Sequence, residues 1–192
     1  MARKNRIWFP NAMYHITSRG NRRNDIFRVK EDYEVYLKIL REVSVYYNNE
    51  YEIICYCLMT NHVHLQIQTH EKHIKYFMSR LNSFYARYFN NKYNYVGHLF
   101  QDRYGSEVID SGKYAVRASR YIHLNPVRAN MVLKPEEYKW SSYSMYIGMK
   151  EEKLIESDKI LSYFTRDTAR ELYRDFVESA MKNKSIEDKE VI

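Results

Sequence analysis

The sequence predicts an α+β fold: a ferredoxin-like antiparallel sheet with two helices on one face, then a third helix and a C-terminal helical extension. Three observations carry that expectation. Short runs of β-forming residues alternate with two amphipathic stretches in the order β-α-β-β-α-β. The second and third β runs are parted only by Met59, Thr60 and Asn61, a break suited to adjacent antiparallel strands. The length of 192 residues, 45% of them hydrophobic and 29% charged, suits one folded domain with an appendage.

Taken in order, residues 13–19 end at Gly20 and form the first strand, followed by a polar, basic turn through Asn24. Residues 29–47 place Val35, Ile39, Val43 and Tyr46 at the spacing of an amphipathic helix. Residues 51–58 and 62–69 are the paired strands. Ile74, Phe77, Leu81, Phe84 and Tyr88 make the stripe of a second helix that ends near Asn90 and Asn91. Residues 97–109 read as a fourth strand, bulged or split at Gly105. Residues 111–125 read as a third helix stopped by Pro126, which lacks a donor and restricts the residue before it. That helix is expected over or beside the free sheet face. Residues 131–147 form a connector, and 168–181 a last amphipathic helix through Leu172, Phe176 and Ala180. Residues 1–150 are read as one domain and 151–192 as an extension packed on it, with a frayed tail from Asn183.

Composition narrows the partner. Lys+Arg 31 against Asp+Glu 24 leave a net charge of +7, which favours a polyanion, nucleic acid or an anionic membrane surface. Tyrosine occurs 20 times, and tyrosine both packs apolar surface and stacks on bases. The longest apolar run, residues 53–59, is far short of a membrane span. The N-terminal stretch breaks at Asn11 and continues into Arg19, Arg22 and Arg23, unlike a secretory segment. Cys55 and Cys57 sit two apart in an apolar run, as small hydrophobes on one strand face, and a reducing cytoplasm is expected.

On the third strand, a period of two puts His62 and His64 on one face, while Val63, Leu65 and Ile67 point to the helices. The pair fits half of a divalent-metal site, and equally two partly exposed strand histidines. Projecting the third helix at about 100° per residue gathers Ala115, Val116, Ser119 and Ile122 on one side. Tyr114, Arg117, Tyr121 and Asn125 gather opposite, so Tyr121 lies off the apolar stripe; His123 falls on the apolar side as packing. A zinc set of Cys55, Cys57, His62 and His64 is spaced too tightly for an easy tetrahedron.

Several separated segments resemble the single-tyrosine HUH transposases of insertion sequences, and most closely their REP-associated tyrosine transposase branch. They are Tyr14-His15-Ile16-Thr17-Ser18-Arg19-Gly20-Asn21, Met59-Thr60-Asn61-His62-Val63-His64-Leu65, and Gly97-His98-Leu99-Phe100-Gln101 with Arg103-Tyr104. Tyr121-Ile122-His123-Leu124-Asn125-Pro126-Val127-Arg128 and Trp140-Ser141-Ser142-Tyr143 complete the set. The resemblance spans residues 6–146 and implies the HUH endonuclease fold and a strand-cleaving, strand-joining enzyme acting on single-stranded DNA at hairpins. It implies that His62 and His64 bind a divalent metal, that Asn125 completes the site, and that Tyr121 is the nucleophile. Asn125 stands where the insertion-sequence branch usually has Gln, closer to the REP-associated branch.

That assignment has a chemical rationale. A phenol titrates near 10, so only about one in a thousand is phenolate at pH 7, a deficit worth roughly 4 kcal/mol. Mg²⁺ or Mn²⁺ would polarise the scissile phosphate and offset it, with imidazole favouring Mn²⁺. The covalent 5′-phosphotyrosine would conserve the phosphodiester energy, so no nucleotide cofactor is expected. DNA contacts are expected from Arg19, Arg22 and Arg23 in the first turn, Arg103 and Tyr104 on the fourth strand, and Arg117 and Arg120 beside Tyr121. A monomer is expected, a homodimer with shared sites being the alternative. Two competing readings are a metal phosphodiesterase using water and a non-catalytic or domesticated single-stranded nucleic-acid binder.

Overall fold

The computed structural model describes residues 7–182. Four strands, β1 (Met13–Arg19), β2 (Tyr51–Leu58), β3 (His62–Thr69) and β4 (Gly105–Ile109), form one antiparallel sheet in the order β2-β3-β1-β4. Two helices, α1 (Lys30–Tyr46) and α2 (Ile74–Tyr93), complete the β-α-β-β-α-β order expected from the sequence. Both lie on the face of Val63, Leu65 and Ile67. Asn82 of α2 donates to the Ser18 hydroxyl, and Ser18 pairs with Val63; Tyr51 packs on Phe77 with ring centroids 4.9 Å apart.

The two helices are tied by an acid. Asp32 is fully buried and accepts from the Arg28 and Val29 amides, from the Tyr88 and Tyr93 hydroxyls, and from Lys92 at 2.8 Å. It thus caps the start of α1 and fastens it to the end of α2. Burial alone would raise this carboxyl; Lys92, the Arg28 amide, Tyr93 and the Val29 amide outweigh it and hold it at about 2. These bonds draw α2 three residues past Asn90, to Tyr93, beyond the end expected from the apolar stripe.

The opposite face is covered by α3 (Gly112–Arg128), which packs across β2, β3 and β4. Pro126 does not stop this helix, contrary to the sequence expectation; α3 continues to Arg128. Proline removes one donor, and the side-chain amide of Asn125 turns back to the carbonyls of Tyr121 at 2.9 Å and Ile122 at 3.5 Å, the latter being where the missing N–H would have pointed.

The fourth strand is also shorter than expected. Only Gly105–Ile109 pairs with β1; residues 97–104 form a loop with a single bridge, Gly20 to Phe100. The cause lies in β1, which ends in a tight turn at Asn21–Arg23 and offers no further ladder. A Cβ at Gly20 would collide with the Asn24 carbonyl and Ile26, so the turn requires glycine there.

Residues 138–146, including the short helix α4 (Tyr143–Tyr146), run along the outer edge of β2 and cover it. Leu58 N donates to Trp140 O, Ser142 N to Tyr56 O, and Tyr138 and Tyr146 donate to the Leu58 and Ile54 carbonyls. After α5 (Asp158–Leu161), the C-terminal helix α6 (Ala169–Lys182) returns to α3. There Tyr173 donates to Ser119, whose own hydroxyl donates to the Val116 carbonyl. His123 joins the same network, with Nδ1 2.7 Å from the Tyr173 oxygen and Nε2 2.8 Å from the Ser142 hydroxyl, which is also 3.2 Å from the Tyr56 carbonyl. Burial pushes this imidazole down to about 3, and it is packing, as its place on the apolar side foretold. The expected tail from Asn183 lies outside the described residues.

Candidate active site

Alternation along β3 turns His62, His64 and Gln66 toward α3, and the β1 register sets Arg19, Thr17 and His15 beside them. Gln66 anchors the helix by donating to the Ala115 carbonyl at 3.2 Å, and Ser111 caps it by accepting from the Tyr114 amide. Further along α3, Tyr121 arrives over the imidazoles. Its ring stands edge-on to His64, with centroids 5.8 Å apart, and edge-on to His15 at 5.7 Å. The His62 and His64 rings lie 4.9 Å apart.

Each imidazole of the pair has one nitrogen held. His62 Nδ1 donates to the Asn61 side-chain oxygen at 2.6 Å, and the same amide donates to the Arg23 carbonyl. His64 Nδ1 lies 2.9 Å from His15 Nε2. Neither Nε2 of His62 nor that of His64 has a hydrogen-bond partner among the described residues. Burial, with Arg19 adding, pushes His62 down to about 4; burial, His15, His62 and Arg19 push His64 well below its ordinary value. Burial also lowers His15, opposed by Glu107. All three are neutral at pH 7, the state in which imidazole ligates metal.

Among the described residues no three His, Cys, Asp or Glu side chains are grouped to hold an ion, which removes the zinc set. Burial pushes both thiols up, and Cys55 donates to Gln66. The donors that remain are two neutral imidazoles with Nε2 unengaged, and the Asn125 side-chain oxygen on the Tyr121 side of α3. Since Asn125 donates through its amide nitrogen to the Tyr121 backbone, its oxygen is left as an acceptor. By donor type these groups would suit a divalent ion that completes its coordination with phosphate and water oxygens.

The expected DNA contacts divide. Arg19 is exposed beside His62. Arg22 and Arg23 are exposed, both with left-handed backbone (φ 53° and 61°), in the turn that Asn61 holds against His62. Arg103 is exposed on loop 97–104, which faces α2 across a groove of about 1040 Å³ lined also by Lys75, Asn82, Asn90 and His98. Tyr104 is 6% exposed and packed in the core, not on a strand face open to bases. Arg117 is half-buried near Tyr114. Arg120 stacks over Phe176 of α6 at 4.2 Å, turned toward the C-terminal helix.

Three residues at this site escaped the sequence reading. His15 stands in one of the segments that carry the resemblance but is given no role there; only the register brings it beside His64. Asn61 precedes the histidines without a pattern of its own. Arg128 lies over the Tyr121 ring at 4.8 Å, two helical turns on, a relation hidden by the expectation that α3 ends at Asn125.

A family model described as "Transposase IS200 like" matches residues 9–125. Among solved structures, the chain is similar to a REP-associated tyrosine transposase bound to a REP hairpin, at 15% identity and a TM-score of 0.63, over 83% of this chain and 93% of that one. It also aligns with a protein described as a transposase from Deinococcus radiodurans R1 (22% identity, TM-score 0.44, 63% of this chain and 95% of that one). A third alignment is with tRNA(His) guanylyltransferase from Saccharomyces cerevisiae (10% identity, TM-score 0.41, 99% and 85%). Scores below 0.5 bear no weight on the fold; the first match supports it. No curated protein matches the chain significantly.

Proposed function

The chain belongs to the IS200-like transposase family, and from that premise we propose that it is a single-tyrosine HUH enzyme. In this reading it nicks and rejoins single-stranded DNA at hairpin-forming repeats through a 5′-phosphotyrosine intermediate. The observation that carries the reading is the edge-on approach of Tyr121 to His64, 5.8 Å between centroids, within one chain.

His62 and His64 would hold Mg²⁺ or Mn²⁺ through Nε2, with the Asn125 oxygen completing the protein's donors. When bound, the ion supplies Lewis-acid polarisation of the scissile phosphate and takes up developing negative charge. Tyr121 Oη attacks phosphorus, the bond to the 3′ oxygen breaks, and the departing 3′ oxygen takes a proton as the phenol loses its own. The product is a 5′-phosphotyrosine and a free 3′-OH; attack by another 3′-OH reverses the step and joins strands without ATP. Arg128, over the Tyr121 ring, adds positive charge where the phenolate develops.

Arg19, Arg22 and Arg23 form the exposed cationic border beside His62 and would take the phosphates of the strand, while Arg103 would meet it from the separate groove against α2. The hairpin assignment is supported by the hairpin bound to the structurally similar transposase. A monomer is proposed because one chain supplies both the tyrosine and the imidazoles. No described helix is long and apolar enough to cross a membrane, and Cys55 and Cys57 are free and buried; a cytoplasmic site of action accords with both. The test is nicking of a labelled single-stranded hairpin with and without Mn²⁺. Cleavage that needs the ion and is lost in Tyr121→Phe supports the proposal, whereas cleavage retained by Tyr121→Phe assigns the attack to water.

A further inference from the structure

We propose that His15 is a positioning residue that fixes His64 in the one tautomer able to ligate through Nε2; this rests on the reading of His62 and His64 as metal ligands. His15 Nε2 and His64 Nδ1 are 2.9 Å apart, and two nitrogens at that distance share one proton. If His64 Nδ1 carries it, His64 Nε2 is a bare lone pair. If His15 Nε2 carries it, the proton of neutral His64 moves to Nε2 and occupies the lone pair an ion would need.

The far side of His15 decides between the two. Glu107 is its direct partner across β1 and β4, so a carboxylate sits beside His15. A proton on His15 Nδ1 meets that negative charge favourably, and a lone pair there does not. The favoured order is Glu107, His15 protonated on Nδ1, and His64 protonated on Nδ1 with Nε2 turned outward. This gives His64 what Asn61 gives His62: a partner on Nδ1 that orients the ring and leaves Nε2 for the ion. His15 is held for the task. It is 9% exposed, and its ring lies edge to edge with that of His64, centroids 5.1 Å apart and planes 23° from parallel, as an in-plane N–H···N bond requires, with Tyr121 edge-on beside it.

Two measurements on the full chain test this. Nitrogen-15 imidazole spectra of the metal-free protein are expected to show His64 as the Nδ1–H tautomer; an Nε2–H His64 overturns the proposal without any variant. Mn²⁺ binding, read by electron paramagnetic resonance, then compares wild type with His15→Phe, which keeps an aromatic ring but no acceptor, and His15→Gln, which restores one. Mn²⁺ affinity in His15→Phe is expected to fall by about 10- to 100-fold, to recover largely in His15→Gln, and the impaired nicking to return at raised Mn²⁺. A purely structural ring would shift the melting temperature and leave the Mn²⁺ Kd within about twofold of wild type, and that result overturns the proposal. If wild type binds no Mn²⁺ at all, the ligand reading itself falls and His15's role falls with it.

Discussion

One oxygen separates Tyr121 from phenylalanine, and the chemistry is assigned to that atom. Tyr121→Phe is expected to lower nicking by about 1,000-fold or more, while hairpin affinity and melting temperature stay near wild type; gel-shift, nicking and melting assays read the three together. His64→Ala should lose both Mn²⁺ binding and nicking. At this scale the sequence was legible wherever a period could be read. Alternation put His62 and His64 on one face, and helical projection lifted Tyr121 and Asn125 off the apolar stripe. Residues whose role comes from partners far along the chain were not legible: His15 meets His64 only through strand register. Tyr104 was expected on the fourth strand for a related reason: it ends the loop before β4, and tertiary packing, which no local pattern announces, buries it in the core.

Among the elements, α3 matters most, because it carries Tyr121 across the sheet and continues through Pro126 to bring Arg128 over the ring. Arg128→Ala is expected to slow cleavage by about tenfold or less, with Mn²⁺ affinity unchanged, since it removes a cation near the phenol and no ligand. The other telling junction between elements is the one Asp32 makes between α1 and α2. Its carboxyl is held at about 2 against an ordinary 3.8, so its stabilisation is complete above about pH 4 and is lost as pH falls toward 2. The contribution is about 2 kcal/mol. Urea melts between pH 5 and 2 should show that decline in wild type and a flatter one in Asp32→Asn, which is less stable at pH 7. Nothing local announces Asp32 as more than a helix-start acid, because Tyr88, Lys92 and Tyr93 reach it from the end of another helix.

For the molecule as a whole, the order of elements and the layer of two helices on one sheet face followed from periodicity and spacing, whereas the sequence left the third helix over or beside the free face and the structure sets it across that face. Neither the single bridge that replaces half of the expected fourth strand nor the strap of residues 138–146 along β2 could be read from local pattern, since each is set by tertiary pairing. The cationic border around the site makes binding a property of the entire face. Hairpin affinity should fall with salt, and Arg22→Ala with Arg23→Ala should reduce the log–log slope by roughly 0.7 for each phosphate no longer neutralised, equally for all sequences. Unchanged slope in that double variant would move the strand elsewhere, to the groove of Arg103 and Lys75.

The central claim concerns which atom holds the DNA. Trapping the protein with Mn²⁺ on a 3′-labelled hairpin oligonucleotide, denaturing, digesting and locating the adduct by mass spectrometry addresses it directly. The account predicts a nucleotide 5′-phosphate linked to the peptide that contains Tyr121. An adduct on any other residue, or a cut strand with no protein attached, contradicts it.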